Sequence, residues 1–403
     1  MPDVSTTRRL DLDGFRGVAI ALVLVFHYVA RAGFYRLPAS PIAVQFLDSL
    51  SSGVDIFFVL SGFLIGGIVL DHGRAINFYK VFYWRRALRI WPVALFTIAF
   101  SYLVIPLLNL TVLWTSQTPA YTYLLLINNF WTASGLRPYP PLGPMWSLAI
   151  EEQFYLLCPA LMLSLNARTR LYGLTGILVI SPILRSLDLH FSPWDFTPFR
   201  LDGFAAGILI AELIRNPRYA AFADANRKAI GIATAGLVLA AVMFGASPHY
   251  TGSQHVAWGL SLNTLAAAAV VLYLQTAGSG LLARMLSGRG LVMLGRESYF
   301  IYMMHIPILA CVETLDVPET LKPPLALALC LLYAWASWRW PEAYLTRLGR
   351  RFSYRSPNAL ELSAADGDSI STSSSRGALP VVAVSRAGTQ GAVLGAAGRH
   401  DAG

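Results

Sequence analysis

The sequence predicts an all-α polytopic membrane protein with about ten transmembrane helices and one short interfacial or re-entrant segment. Three observations lead there. Of 403 residues, 55% are hydrophobic and only 13% charged, where a soluble domain averages about a quarter charged, and mean hydropathy is +0.54. Apolar stretches long enough for a hydrocarbon core of about 30 Å recur along most of the chain. Lys and Arg crowd the short segments between them and favour one side. That bias accounts for the net charge of +9 without a nucleic-acid partner.

The first span is expected at 14–31, behind Arg8 and Arg9, with Asp13 placed to cap it. A cleavable leader ending near Ala30-Arg31-Ala32 is its rival, opposed by Arg16 and His27 inside the apolar run. The second span, 53–70, opens on Asp55, where helix capping is the simplest role, and carries Gly62, Gly66 and Gly67 for close packing. A basic, aromatic stretch (NFYKVFYWRRALRIWP) leads into the third span, 91–110. The segment AYTYLLLINNFWTA, 120–133, holds Asn128 and Asn129 and falls short of a crossing of about 20 residues. It reads as interfacial or re-entrant, under protein cover.

The remaining spans are expected at 145–165, 171–189, 198–214, 229–246, 257–278, 297–316 and 324–345. With ten crossings, twenty-one Lys and Arg of the membrane region fall on the side of the termini and six on the other. The asymmetry places both termini in the cytoplasm of an inner-membrane protein. Residues 1–355 form the expected membrane domain, and 356–403, rich in Ser, Gly and Ala and lacking aromatics, a disordered cytoplasmic tail. Cys158, Cys311 and Cys330 lie in apolar segments without metal-ligand spacing and read as small core hydrophobes, with no metal expected.

An ionisable side chain at mid-bilayer costs about 2.5–3.5 kcal/mol on insertion scales, so those retained there mark the chemistry. Arg16 and His27 are eleven residues apart, about 16 Å of helix, which leaves Arg16 at the cytosolic mouth and His27 deep. The plain alternatives are a snorkelling Arg16 and a His27 bonded to a neighbouring helix. Arg85, Arg86 and Arg89 can share one helix face on the same side as Arg16. They suit anionic lipid or, as paired forks, a phosphate. Glu151 lies about 10 Å below the outer end of its span, at the depth of His27, where a carboxylate could orient an imidazole base. Its alternative partners are Arg200 and Arg185, and Glu152 points elsewhere. His305 lies about 12 Å into the ninth span. Trp146 suits an aromatic belt, and Ser61 and Ser147 lack a nucleophile elbow.

Taken in order, Arg-x10-His within LDGFRGVAIALVLVFH, DIFFVLSGFLI, the Arg86/Arg89 pair, WSLAIEEQFYLL and SYFIYMMHIP resemble the acyltransferase-3 family over residues 10–350. The resemblance implies a membrane O-acyltransferase that takes acyl groups, commonly acetyl, from cytosolic acyl-CoA as co-substrate, with no permanently bound cofactor. The acceptor it implies is a sugar-containing hydroxyl compound. It makes His27 the catalytic base or acyl relay, gives Arg16, Arg86 and Arg89 roles in catalysis or donor binding, and makes Glu151 a site candidate. Arg85 joins the expected phosphate clamp, and Trp146, Ser147, Arg200, Asp55 and His305 the expected substrate contacts. One departure is Trp340-Pro341-Glu342, where members often carry Glu-x-Pro. The rival function is a proton-coupled transporter or exporter with His27 and Glu151 as proton relay; an intramembrane sensor is a third.

Overall fold

A computed structural model describes residues 9–31, 41–107, 116–187, 189–246, 253–277, 280–337, 348–349 and 351–355. Those residues form helices and loops, with no strand among them. In chain order the helices are α1 (Leu10–Val25), α2 (Pro41–Ser49), α3 (Gly53–His72), α4 (Phe78–Ala99), the single turn α5 (Ile105–Leu107), α6 (Ala120–Leu124), α7 (Asn128–Ala133) and α8 (Met145–Ser164). They continue with α9 (Ala167–Ser186), α10 (Thr197–Leu213), α11 (Pro217–Ala225), α12 (Arg227–Gly245), α13 (Ser253–Ala277), α14 (Leu281–Leu286), α15 (Arg289–Glu313) and α16 (Lys322–Ser337). Phe26–Arg31 extends α1, and Phe100–Val104 extends α4, as π-helical turns. Side-chain caps fix two starts: Asn166 accepts from the Thr169 amide and Asn216 from the Arg218 amide, with Pro217 at the first helical position.

Every expected span contains a long helix, but among the described residues six helical segments are long and apolar enough to cross a membrane by length and composition. These are Leu10–Val29, Gln45–His72, Phe78–Leu107, Arg227–Gly245, Val256–Thr276 and Glu319–Ser337. The long helices α8, α9, α10 and α15 carry polar and charged groups inward instead, among them Glu151, Arg185, Arg200, Asp202, Glu297 and His305. Some boundaries move. The first helix starts at Leu10, so Asp13 sits within its first turn rather than at its cap. Asp55 likewise lies inside the first turn of α3 and caps nothing. The basic stretch and the third span are one continuous helix, α4, despite Pro92. Residues 120–133 form two helices of five and six residues, broken where Leu126 adopts φ 54°. The distal part of the last span, Trp340-Pro341-Glu342 and the tail from Ser356 lie outside the described residues.

Glycine sets how closely the bundle's two central pairs approach. A Cβ on Gly295 of α15 would lie 1.7 Å from the Asp13 carbonyl oxygen of α1, and one on Gly207 of α10 would lie 2.2 Å from the Val59 carbonyl oxygen of α3. Backbone meets backbone at both crossings, the contact small residues permit where lipid removes the hydrophobic drive between helices. Two buried ion pairs hold α3, α9, α10 and α13. Arg200 Nη2 lies 2.5 Å from Asp55 Oδ1, and Arg185 Nη2 lies 2.7 Å from Asp202 Oδ2. Asn263 adds a bond to Asp55, and Arg185 also donates to the carbonyls of Phe199 and Ala257 and to Ser261. Cys158 and Cys330 are buried and Cys311 half-buried, all free thiols.

Candidate active site

His27 lies in the π-helical turn that ends the first helix, a local widening that recurs at functional sites. The turn sets His27 against α15: the His27 and His305 rings meet edge to face with centroids 4.8 Å apart, and His305 Nε2 lies 3.3 Å from His27 Nδ1. His27 Nδ1 is also 3.0 Å from the Val23 carbonyl oxygen. His305 is fully buried. Its Nδ1 lies 2.6 Å from the Tyr302 carbonyl oxygen, and Tyr28 OH donates to the His305 carbonyl oxygen at 2.8 Å.

One turn along α15, Tyr302 borders a cavity of about 50 Å³ shared with Arg16, Phe57, Ser147, Glu151 and Ser298. Ser147 Oγ is 2.6 Å from Tyr302 OH, which also donates to the Pro144 carbonyl oxygen. Across the cavity, Glu151 accepts from Ser61 Oγ at 3.0 Å and from Tyr155 OH at 3.1 Å, while Ser61 Oγ and Tyr155 OH lie 3.0 Å apart. Arg16 reaches the same space, and its Nε is buried without a hydrogen-bond partner. Arg86 places its guanidinium 5.3 Å from the centre of the Tyr155 ring, and Arg89 stands within electrostatic range of Arg16. Arg16 thus shares the cavity with a hydroxyl-bonded carboxylate, and Tyr302 borders both this cavity and the His305 ring.

Glu151 does not pair with His27. Pro144, at the start of α8, bonds to Tyr302 in the middle of α15, so α8 begins inside the bundle, level with the histidines. Seven residues on, Glu151 lies nearer Arg16 than its count from the outer surface implied. Arg200 and Arg185 are not its partners either, each being held by an aspartate. Asp55 and Arg200 engage one another, with the guanidinium 5.3 Å and 5.9 Å from the ring centres of Phe58 and Trp146. Neither lines the cavity, and nor does Trp146. Arg85 donates twice to the Phe352 carbonyl oxygen and lies over Tyr354, 5.0 Å from its ring centre, fastening residues 352–355 onto α4. It is separated in role from Arg86 and Arg89. Tyr155 and Tyr302 escaped the sequence reading, although Tyr155 stands four residues after Glu151 and Tyr302 three before His305. Ser61 lacks a nucleophile elbow, yet its hydroxyl holds Glu151.

The acyltransferase domain model of the acyltransferase-3 family matches residues 9–339. The chain belongs to that family. It is 27% identical over 329 residues to O-acetyltransferase OatA of Staphylococcus aureus (strain NCTC 8325 / PS 47), covering 75% of this chain and 51% of OatA. Against “Putative peptidoglycan O-acetyltransferase YrhL” of Bacillus subtilis (strain 168) it is 33% identical over 185 residues, 42% of this chain and 26% of that one. The chain thus spans about half the length, or less, of these curated relatives. No solved structure matches. The five motifs legible in the sequence all fall inside the matched region; among their residues, Arg16 and Glu151 line the cavity with Tyr302, His27 and His305 meet beside it, and Arg86 stands against Tyr155.

Proposed function

We propose that the protein is an integral-membrane O-acyltransferase that moves an acetyl group from cytosolic acetyl-CoA to a sugar hydroxyl presented at the outer side of the inner membrane. Peptidoglycan is the acceptor class that one relative's name gives, the putative peptidoglycan O-acetyltransferase YrhL. The observation that carries this reading is the pairing of two unlike subsites across Tyr302: a cavity lined by Arg16 and Glu151 on one side, and the half-buried His27 against the buried His305 on the other. Ten crossings with both termini cytoplasmic put Arg16, Arg86 and Arg89 on the cytosolic face, where guanidinium groups suit the phosphates and thioester oxygen of acyl-CoA.

Chemically, His27 Nε2 takes the proton of the acceptor hydroxyl as its oxygen attacks the thioester carbon. The carbon–sulfur bond breaks, the thiolate takes the proton back from imidazolium, and the products are an ester and free CoA. Arg16, with a buried Nε–H that no described residue satisfies, suits the oxygen that gains charge in this step. Glu151, tied to Ser61 and Tyr155, holds the cavity's shape and balances the arginines. Tyr302 must swing for thioester and imidazole to meet, since His27 does not line the cavity.

Proteoliposomes test this directly. Acetyl-CoA supplied on the cytosolic face and an N-acetylglucosamine–N-acetylmuramic acid disaccharide on the other should give acetylated disaccharide. Proton-coupled uptake of the disaccharide without acetylation would replace the proposal by a transporter.

A further inference from the structure

His305 has no role in the chemistry just described, yet its ring nitrogen reaches that of the base from another helix, 3.3 Å away. Its own hydrogen bonds determine where its proton lies. A carbonyl oxygen can only accept, so His305 Nδ1, 2.6 Å from the Tyr302 carbonyl oxygen, carries the hydrogen. A neutral imidazole protonated at Nδ1 has a lone pair at Nε2, and that nitrogen faces His27. The same rule applies to His27. Its Nδ1 lies 3.0 Å from the Val23 carbonyl oxygen and 3.3 Å from His305 Nε2, so it donates towards both. The reverse assignment on either ring would set a lone pair against a carbonyl oxygen.

We propose that His305 is the positioning residue of His27: its Nε2 lone pair accepts from His27 Nδ1–H, holds the ring plane, and leaves the basic lone pair of His27 on Nε2. The proposal rests on the reading of His27 as the base. It assigns to a neutral ring the task that a carboxylate performs in many histidine sites, fixing the tautomer and stabilising imidazolium. When His27 gains a proton at Nε2, the bond from its Nδ1–H to His305 becomes charge-assisted and shortens in effect. A buried carboxylate at that point would have to be desolvated in every resting state; an imidazole avoids this. His305 is braced for the role. Tyr28 OH reaches its backbone from the π turn and the Tyr302 carbonyl fixes its ring, so both histidines are referenced to the same contact between the first helix and α15.

The test is nitrogen-15 NMR of histidine-labelled protein in nanodiscs. The chain has seven histidines, and His27→Gln and His305→Gln assign the two resonance pairs by their loss. The expected spectrum shows protonated Nδ1 and bare Nε2 on both rings. His305→Phe keeps the ring's bulk and removes the acceptor. It should shift His27 Nδ1 and lower kcat for acetyl transfer to the disaccharide by about ten- to a hundredfold, the worth of one charge-assisted hydrogen bond, with little change in KM. His305→Gln, whose amide oxygen can occupy the place of Nε2, should restore most of the rate.

A wild-type His27 with bare Nδ1 would overturn the proposal, and that measurement needs no variant. So would a folded His305→Phe protein that leaves either the His27 resonance or kcat unchanged. A folded His27→Gln protein with undiminished turnover would defeat the reading of His27 as base, while the tautomer assignment would stand on its own spectrum.

Discussion

Removing one partner of the Asp55–Arg200 pair should reveal whether these residues hold the bundle or hold substrate. Their side chains are 3% and 2% exposed and 2.5 Å apart, and the bond from Asn263 is the other polar contact of the Asp55 carboxylate. Asp55→Ala leaves the guanidinium buried and uncompensated, a change that costs about 3–5 kcal/mol in comparable sites. The faces of Phe58 and Trp146 remain beneath Arg200 in the variant, so the lower end applies: about 3 kcal/mol, or more than a hundredfold in the unfolding equilibrium. Replacing both partners, as Asp55→Leu with Arg200→Met, removes the desolvation burden with the pair and should return stability to within about 1 kcal/mol of wild type. Equilibrium unfolding of wild type, Asp55→Leu, Arg200→Met and the double variant in lipid bicelles measures the cycle, with Asp55→Ala beside them. Additive losses, with KM for the acceptor rising in each single variant, would refute the assignment of the pair to structure.

Three further outcomes follow from the geometry. Gly295→Leu drives a side chain into the Asp13 carbonyl and should part the first helix from α15, lowering stability by more than about 3 kcal/mol; Gly290→Leu, which meets open space, should not. Arg85→Ala should expose residues 352–355 to protease while leaving KM for acetyl-CoA unchanged, whereas Arg86→Ala should raise that KM. Burial pushes the Asp195 carboxyl, in the loop before α10, up to about 6. The folded protein then binds this proton more tightly than the unfolded chain, so the group's contribution falls as pH rises from about 4 to about 6. Asp195→Asn should flatten the stability profile in that window, and an unchanged profile would contradict the shift.

The helix positions were legible because apolar length is a local property. The positions of the long helices follow from runs of Leu, Ile, Val and Phe, and the short segment at 120–133 could be told from a crossing by length alone. Depth was less legible. Counting helix rise from a presumed surface placed Glu151 beside His27, because nothing in PLGPMWSLAIEEQF says that α8 starts inside the bundle at Tyr302. Pairing between helices was hidden for the same reason. Asp55 and Arg200 each looked like a substrate contact, and 145 residues separate them; only the α3–α10 crossing at Gly62 and Gly207 brings them together. His305 was singled out as ionisable at depth, but its partner depended on the π turn at Phe26–Arg31, which no periodicity in the chain announces.

The most direct measurement is acetyl transfer by purified, folded His27→Gln protein beside wild type, in vesicles with labelled acetyl-CoA and the disaccharide. Label should pass to the sugar with wild type and fall to the uncatalysed level with the variant, while helix content and melting temperature match. Transfer by His27→Gln at the wild-type rate would contradict the assignment of the His27 imidazole as the group that activates the hydroxyl.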